Sequence, residues 1–400
     1  MKIASFCIPH IGGAYTVARN LREGLKEHGI TMRWIGVGAR GLQAMSEPRL
    51  KSEQQFGEVV APTEVDMTQQ AKALATHLDR EDYEGAFIDV LGGTLQANIA
   101  RYLPSSILRI LIVHTITPAT YAFASAIRDH VHAAVGVSLR IRQDLVCKHG
   151  FPPNRTMAIP NGVDLAQFEQ LKRTQDPSIL RVVYLGRIED GAKGIFWLPK
   201  ILSQVDYGSV RLTIAGEGPD LERLKKCFLG KESVEFTGAV NHYDVPSLLS
   251  CHDVLLMPSR YEGFGLTLIE AMAAGCVPLA SRIRGVTDMI VNHGKTGLLF
   301  PIGDTLAAAK AIKTLSTDRE LLNALSFQGR QTVREQFTHS ISAAAYAALI
   351  ERIHLVRPAI AEPLPLDQWE LPRGLRAGWR SHLPIGLKNL LRQWLERFDR

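Results

Sequence analysis

Cysteine is scarce and scattered in this 400-residue chain: Cys7, Cys147, Cys227, Cys251 and Cys276 form no C-x-x-C pair, and their number is odd. Neither a disulfide framework nor a zinc knuckle is indicated, and a reducing, cytoplasmic setting fits. Also missing is any uninterrupted apolar run of the roughly 18 residues that a membrane helix needs, since the best stretch, Ile107 to Ala126, holds Arg109 and His114. No charged leader followed by an apolar run opens the chain, because Met1-Lys2 leads straight into a short strand pattern. No D-x-D, no H-E-x-x-H and no tight His/Cys cluster is present, so neither a metal nor a resident cofactor is expected.

What is present is ordinary globular material. Hydrophobic residues make up 46% of the chain and charged residues 22%, which excludes intrinsic disorder. Four hundred residues exceed one α/β core and point to two domains. The net charge of +6 is uneven. Residues 371–400 hold seven Arg or Lys and two acids, so 7 − 2 = +5 sits in the last thirty residues. The nearly balanced remainder argues against a nucleic-acid partner.

Short β-branched or aliphatic runs alternate with helical patterns, which predicts an α/β architecture of two Rossmann-like, doubly wound parallel sheets. Strands are expected near Lys2–Ile8, Met32–Val37, Gly85–Val90, Leu108–His114 and Ala133–Ser138, then near Leu180–Leu185, Val210–Ala215, Val234–Phe236, Val254–Met257 and Val277–Ala280. The domains read as 1–170, 171–335, a crossover helix at 336–355, and a Pro-containing basic tail at 356–400. Within that tail, Leu387, Leu390, Leu391, Trp394, Leu395 and Phe398 would share one face of a helix over Ile385–Phe398, flanked by Lys388, Arg392 and Arg397. Such a helix either docks on its own protein or lies on an anionic membrane.

The strongest local pattern is Arg260-Tyr-Glu262-Gly-Phe-Gly-Leu-Thr-Leu-Ile-Glu270-Ala-Met-Ala-Ala-Gly275. It follows a predicted strand and predicts a Gly-rich turn, then a helix that stops at Gly275. That geometry aims the N–H groups of Phe264, Gly265, Leu266 and Thr267 toward the carboxyl end of the sheet, where open α/β sheets bind anionic ligands. Glu262 and Glu270 bracket the turn, and carboxylates there suit sugar or ribose hydroxyls better than phosphates. A separate Gly216-Glu217-Gly218 follows another strand but lacks the third glycine of a dinucleotide fingerprint, since Leu221 stands in that place. A nicotinamide dehydrogenase is thereby disfavoured.

The string E-G-F-G-L-T-L-I-E-A-M-A-A-G resembles the E-x7-E signature of the retaining, GT-B fold glycosyltransferases of family 4. Further likenesses run over the first 355 or so residues: Gly12-Gly13, Val113-His114-Thr115, Ile159-Pro-Asn161-Gly162-Val-Asp164, Leu185-Gly186-Arg187 with Lys193-Gly194, Ala215-Gly216-Glu217-Gly218 and Phe236-Thr237-Gly238. The resemblance implies two domains facing a central cleft, with a nucleoside-diphosphate sugar as co-substrate and a sugar or lipid-linked acceptor. It implies that Arg187 and Lys193 hold the diphosphate, that Glu270 binds the ribose, and that Glu262, with Gly263 beside it, lies next to the transferred sugar. By the same resemblance Phe236, Thr237 and Val240 line the nucleobase pocket through backbone groups, and His114 contacts the sugar near its reacting carbon. Gly12, Gly13 and Gly216 let the backbone approach the ligands. UDP-sugars are favoured over GDP-sugars, and retention without metal is expected. The same resemblance leaves room for a sugar-nucleotide epimerase, or for a silent scaffold acting through the basic tail.

Overall fold

The computed structural model describes residues 1–10, 12–89, 93–169, 171, 178–205, 208–376 and 387. Two compact units emerge, one built from Met1–Asp164 with Phe337–Arg376 and the other from Leu165–Gln336.

The first unit holds seven strands: β1 (Lys2–Ser5), β2 (Thr31–Val37), β3 (Gly57–Val60), β4 (Gly85–Asp89), β5 (Leu108–Val113), β6 (Ala133–Gly136) and β7 (Thr156–Ala158). They lie in the order β3-β2-β1-β4-β5-β6-β7, and every pairing is parallel. All six residues of β5 are buried, as a central strand covered on both faces requires.

The second unit carries β8 (Leu180–Leu185), β9 (Val210–Ala215), β10 (Val234–Gly238), β11 (Val254–Met257), β12 (Val277–Ser281) and β13 (Leu298–Phe300). Their order, β10-β9-β8-β11-β12-β13, is again wholly parallel and doubly wound. Its core gathers Val182, Tyr184, Leu212, Ile214, Leu256 and Leu279 beneath helices such as Thr305–Thr317. In both sheets the chain reverses direction beside the first strand, between β1 and β4 and between β8 and β11, which sets a topological switch point at each place.

Three short strands, β3, β7 and β13, were not expected; each has three or four residues and lies at the edge of its sheet. Three expected strands run shorter than read. The first ends at Ser5 rather than Ile8, β6 ends at Gly136 rather than Ser138, and β5 ends at Val113, so His114 begins the following loop.

The chain leaves the first unit and returns to it at one point. Val163 bridges Thr338 in parallel, Val163 N donates to Phe337 O at 2.9 Å, and His339 N donates to Val163 O at 2.9 Å. The returning helix His339–Val356 then packs along helix Gly13–Lys26. Beyond it, residues 357–376 form an irregular strap on the same unit. Arg155 Nη1 donates to Ala359 O, Ala361 N to Asp129 O and Leu364 N to Arg101 O. Tyr102 donates its hydroxyl to Glu370 O, accepts from Glu370 N, and lies 4.6 Å from the ring of Trp369. The helix expected over Ile385–Phe398 falls outside the described residues but for Leu387. No helix among the described residues is long and apolar enough to cross a membrane.

Candidate active site

The switch point of the second sheet brings three strand-end loops together. After β8 the chain turns through Gly186, Arg187 and Ile188 into the short helix Asp190–Lys193, after β9 through Gly216–Asp220, and after β11 through Pro258–Gly263. Backbone bonds stitch the first two: Ile188 N donates to Glu217 O at 2.8 Å and Asp220 N to Ile188 O at 3.1 Å. Glycine permits this closeness. A Cβ on Gly216, whose φ is +140°, would stand 1.9 Å from Gly186 O.

The third loop is pinned as firmly. Arg260 N and Tyr261 N both donate to Ala192 O, while Arg260 donates through Nη2 to Asp190 Oδ2 at 3.0 Å and lies 3.9 Å over the ring of Trp197. Gly194, in the left-handed region at φ +62°, lets the Lys193 turn press on this loop, because a Cβ there would sit 2.3 Å from Pro258 O.

These contacts place Lys193 Nζ 2.5 Å from Glu262 Oε1, which also accepts from the fully buried Ser259 Oγ at 2.6 Å. The Glu262 side chain is only 10% exposed and that of Lys193 28%. Arg187 differs. Its side chain is 67% exposed and reaches Glu189 at 3.3 Å, so the two expected phosphate cations hold different carboxylates in the free chain. Tyr184 donates to Arg187 O at 2.7 Å and steadies the backbone there. Burial above all, then the charges of Glu262 and Glu189, push the Tyr184 hydroxyl's pKa upward and keep it protonated.

Helix Leu266–Ala274 starts beside this cluster. Its N-cap is Gly265 at φ +102° with no side-chain cap, its C-cap is Gly275, and Thr267 Oγ1 turns to Met257 Sδ. Phe264 is buried, while Gly263, Leu266 and Thr267 are half-buried. Glu270 lies one turn into the helix, half-buried. Phe236 and Thr237 belong to the edge strand β10, where a register shift between Phe236 and Gly238 lets Gly216 N donate to Gly238 O at 2.7 Å. The Phe236 ring packs against Phe228 at 6.1 Å, so its side chain serves the core. Val240 follows, half-buried.

In the first unit, Gly12 caps helix Gly13–Lys26 without a side-chain cap. His114 follows β5, and its Nε2 lies 3.2 Å from Oδ2 of Asp89, the last residue of β4. Sequence reading missed Asp89, Asp190 and Ser259, and gave no role to Arg260, which opens the strongest local pattern. Only the position of Asp89 near the end of a predicted strand could have marked it, because its partner stands 25 residues on, just past the neighbouring strand β5.

Residues 11–167 match the family described as Glycosyltransferase Family 4, and residues 180–318 match Glycosyl transferases group 1. The chain belongs to the family 4 glycosyltransferases. Among its relatives, the sulfoquinovosyl transferase SQD2 of Arabidopsis thaliana is 29% identical over 55% of this chain and 46% of its own length. The N-acetyl-alpha-D-glucosaminyl L-malate synthase of Bacillus anthracis is 34% identical over 34% of this chain and 35% of its own. The matched stretches thus span less than half of these relatives. The fold is that of the Anabaena HepE structure in complex with UDP and glucose, at 18% identity and TM-score 0.70, over 88% of this chain and 100% of that one.

Proposed function

We propose that this glycosyltransferase moves a hexose-type sugar from a UDP-sugar to an acceptor hydroxyl with retention of configuration, in assembly of a bacterial envelope polysaccharide, glycolipid or glycoconjugate. The observation that carries the reading is the Lys193–Glu262–Ser259 cluster, held rigidly at the switch point beside an uncapped helix start. Breaking the anomeric bond loads negative charge on the β-phosphate, and fixed cations with helix amides stabilise it. We assign that charge to Arg187, Lys193 and the amides after Gly265, with no divalent ion. As the diphosphate draws Lys193 to itself, Glu262 is freed to accept from a sugar hydroxyl, and Glu270 accepts from the ribose. No side chain is assigned as a covalent nucleophile, so the acceptor attacks from the face the phosphate leaves, and the phosphate takes its proton. UDP over GDP is supported by a structural relative that holds UDP. The enzyme would work in the cytoplasm, its basic tail meeting the inner face of the plasma membrane.

Lys193→Ala or Arg187→Ala should each cost about 3 kcal/mol of transition-state stabilisation, a loss of roughly two orders of magnitude in kcat. Steady-state transfer assays check this, and unchanged turnover in either variant refutes the assigned role. Product analysis with and without acceptor separates transfer from epimerisation.

A further inference from the structure

The first unit holds a buried polar cluster at its own switch point. Cys7 lies just past β1, Asp89 ends β4 and His114 follows β5, so three neighbouring strands deliver one residue each to the carboxyl edge of the sheet. The Asp89 side chain is 4% exposed and that of His114 9%. Burial above all, with the neighbouring Asp89 carboxylate adding to it, raises the Cys7 thiol's pKa well above the ordinary thiol range, so it stays a neutral S–H group. Asp89 thus has the His114 ring and the Cys7 thiol as near neighbours.

From this arrangement we infer that Asp89 is a positioning residue for His114, holding the ring proton on Nε2 so that Nδ1 is presented as an acceptor to a hydroxyl of the reacting sugars. A carboxylate only accepts, so the ring nitrogen that faces Asp89 is the one to carry a proton. That nitrogen is Nε2, at 3.2 Å. Nδ1, the other ring nitrogen, is then the acceptor left to a ligand. Orientation of a histidine by a buried carboxylate is a recurrent way to fix both tautomer and ring plane. The inference rests on the transferase reading and adds a residue to it.

The test is a double-mutant cycle in the full chain, with ring nitrogens followed by NMR after nitrogen-15 labelling of histidine. Asp89→Ala and His114→Ala should each lower kcat about tenfold or more while the KM for the sugar nucleotide stays within about twofold, and the double variant should be no worse than His114→Ala alone. Wild-type His114 should show its ring proton on Nε2, protected from exchange, and the protection should vanish in Asp89→Ala. Asp89→Asn, which keeps the volume, stands in where the alanine variant does not fold. Full activity in the Asp89 variants, losses that multiply in the double variant, or a wild-type proton on Nδ1 would each overturn the inference. Should the wild-type chain transfer no sugar at all, the functional reading falls, and the ring signals alone decide whether Asp89 orders His114.

Discussion

Lys193 and Glu262 stand at hydrogen-bond distance in the free chain, so the ammonium that should grip a diphosphate is already partly neutralised. Any anionic ligand must compete with Glu262 for it. Glu262→Gln removes the competing charge while keeping the shape, so UDP should bind at least as tightly as to wild type while transfer slows. Calorimetric titration beside a turnover assay checks both halves, and weaker UDP binding would contradict the competition. A second residue-scale consequence concerns His132, a buried imidazole whose Nδ1 accepts from Arg109 N at 3.0 Å. Burial first, then the positive charges of Arg109, Arg357 and Arg155, lower its pKa from 6.5 to about 4. Between those values the unfolded chain binds more protons than the folded one, so stability should fall as pH drops from about 6.5 towards 4 and stay level above. Denaturant midpoints across that range should show the slope, and His132→Gln should reduce it.

At the scale of the element, the glycines do more than decorate turns. Gly194 and Gly230 both have positive φ, at +62° and +73°, but a Cβ at Gly194 collides with Pro258 O and Trp197, whereas at Gly230 it meets nothing within 4 Å. Alanine at Gly194 should therefore cost more than about 1 kcal/mol and dislodge Lys193, while alanine at Gly230 should cost only backbone strain and leave turnover intact. Thermal melts with kinetics on both variants make the comparison. The strap offers a parallel case. Tyr102→Phe leaves Glu370 N and its carbonyl without their hydroxyl partner, and should cost about 1–2 kcal/mol and expose residues 364–376 to proteolysis first. The strap itself could not be read from sequence, since irregular backbone held by single hydrogen bonds has no period. Gly186 and Gly216 were legible because each directly follows a strand and opens a turn, Gly265 because it lies in the Gly-rich turn before a helix, and Glu262 because it precedes that turn. Ser259 lies in the same loop as Glu262, whereas the Asp190–Arg260 pairing depends on which loops become neighbours, and strand order alone decides that.

For the whole molecule, two sheets of one topology carry different chemistry at corresponding edges. The second gathers a cation, a carboxylate and an uncapped helix start, while the first gathers Asp89, His114 and Cys7. UDP should thus protect amides at 186–194, 216–220 and 258–270 from hydrogen exchange and leave the protection around His132 unchanged. At a hundredfold excess over Kd it should add about 2.7 kcal/mol of apparent stability. Protection spread evenly over both sheets would contradict a nucleotide site confined to the second.

The paired crossing at Val163 and Thr338 has a genetic corollary. Residues 165–336 leave and re-enter their host at adjacent backbone positions, as a cassette does in a vector, so the host's hydrogen-bonded ladder has a natural splice point there. Exchange of that cassette between homologous chains would trade one partner of the reaction for another at the cost of two junctions already lying side by side.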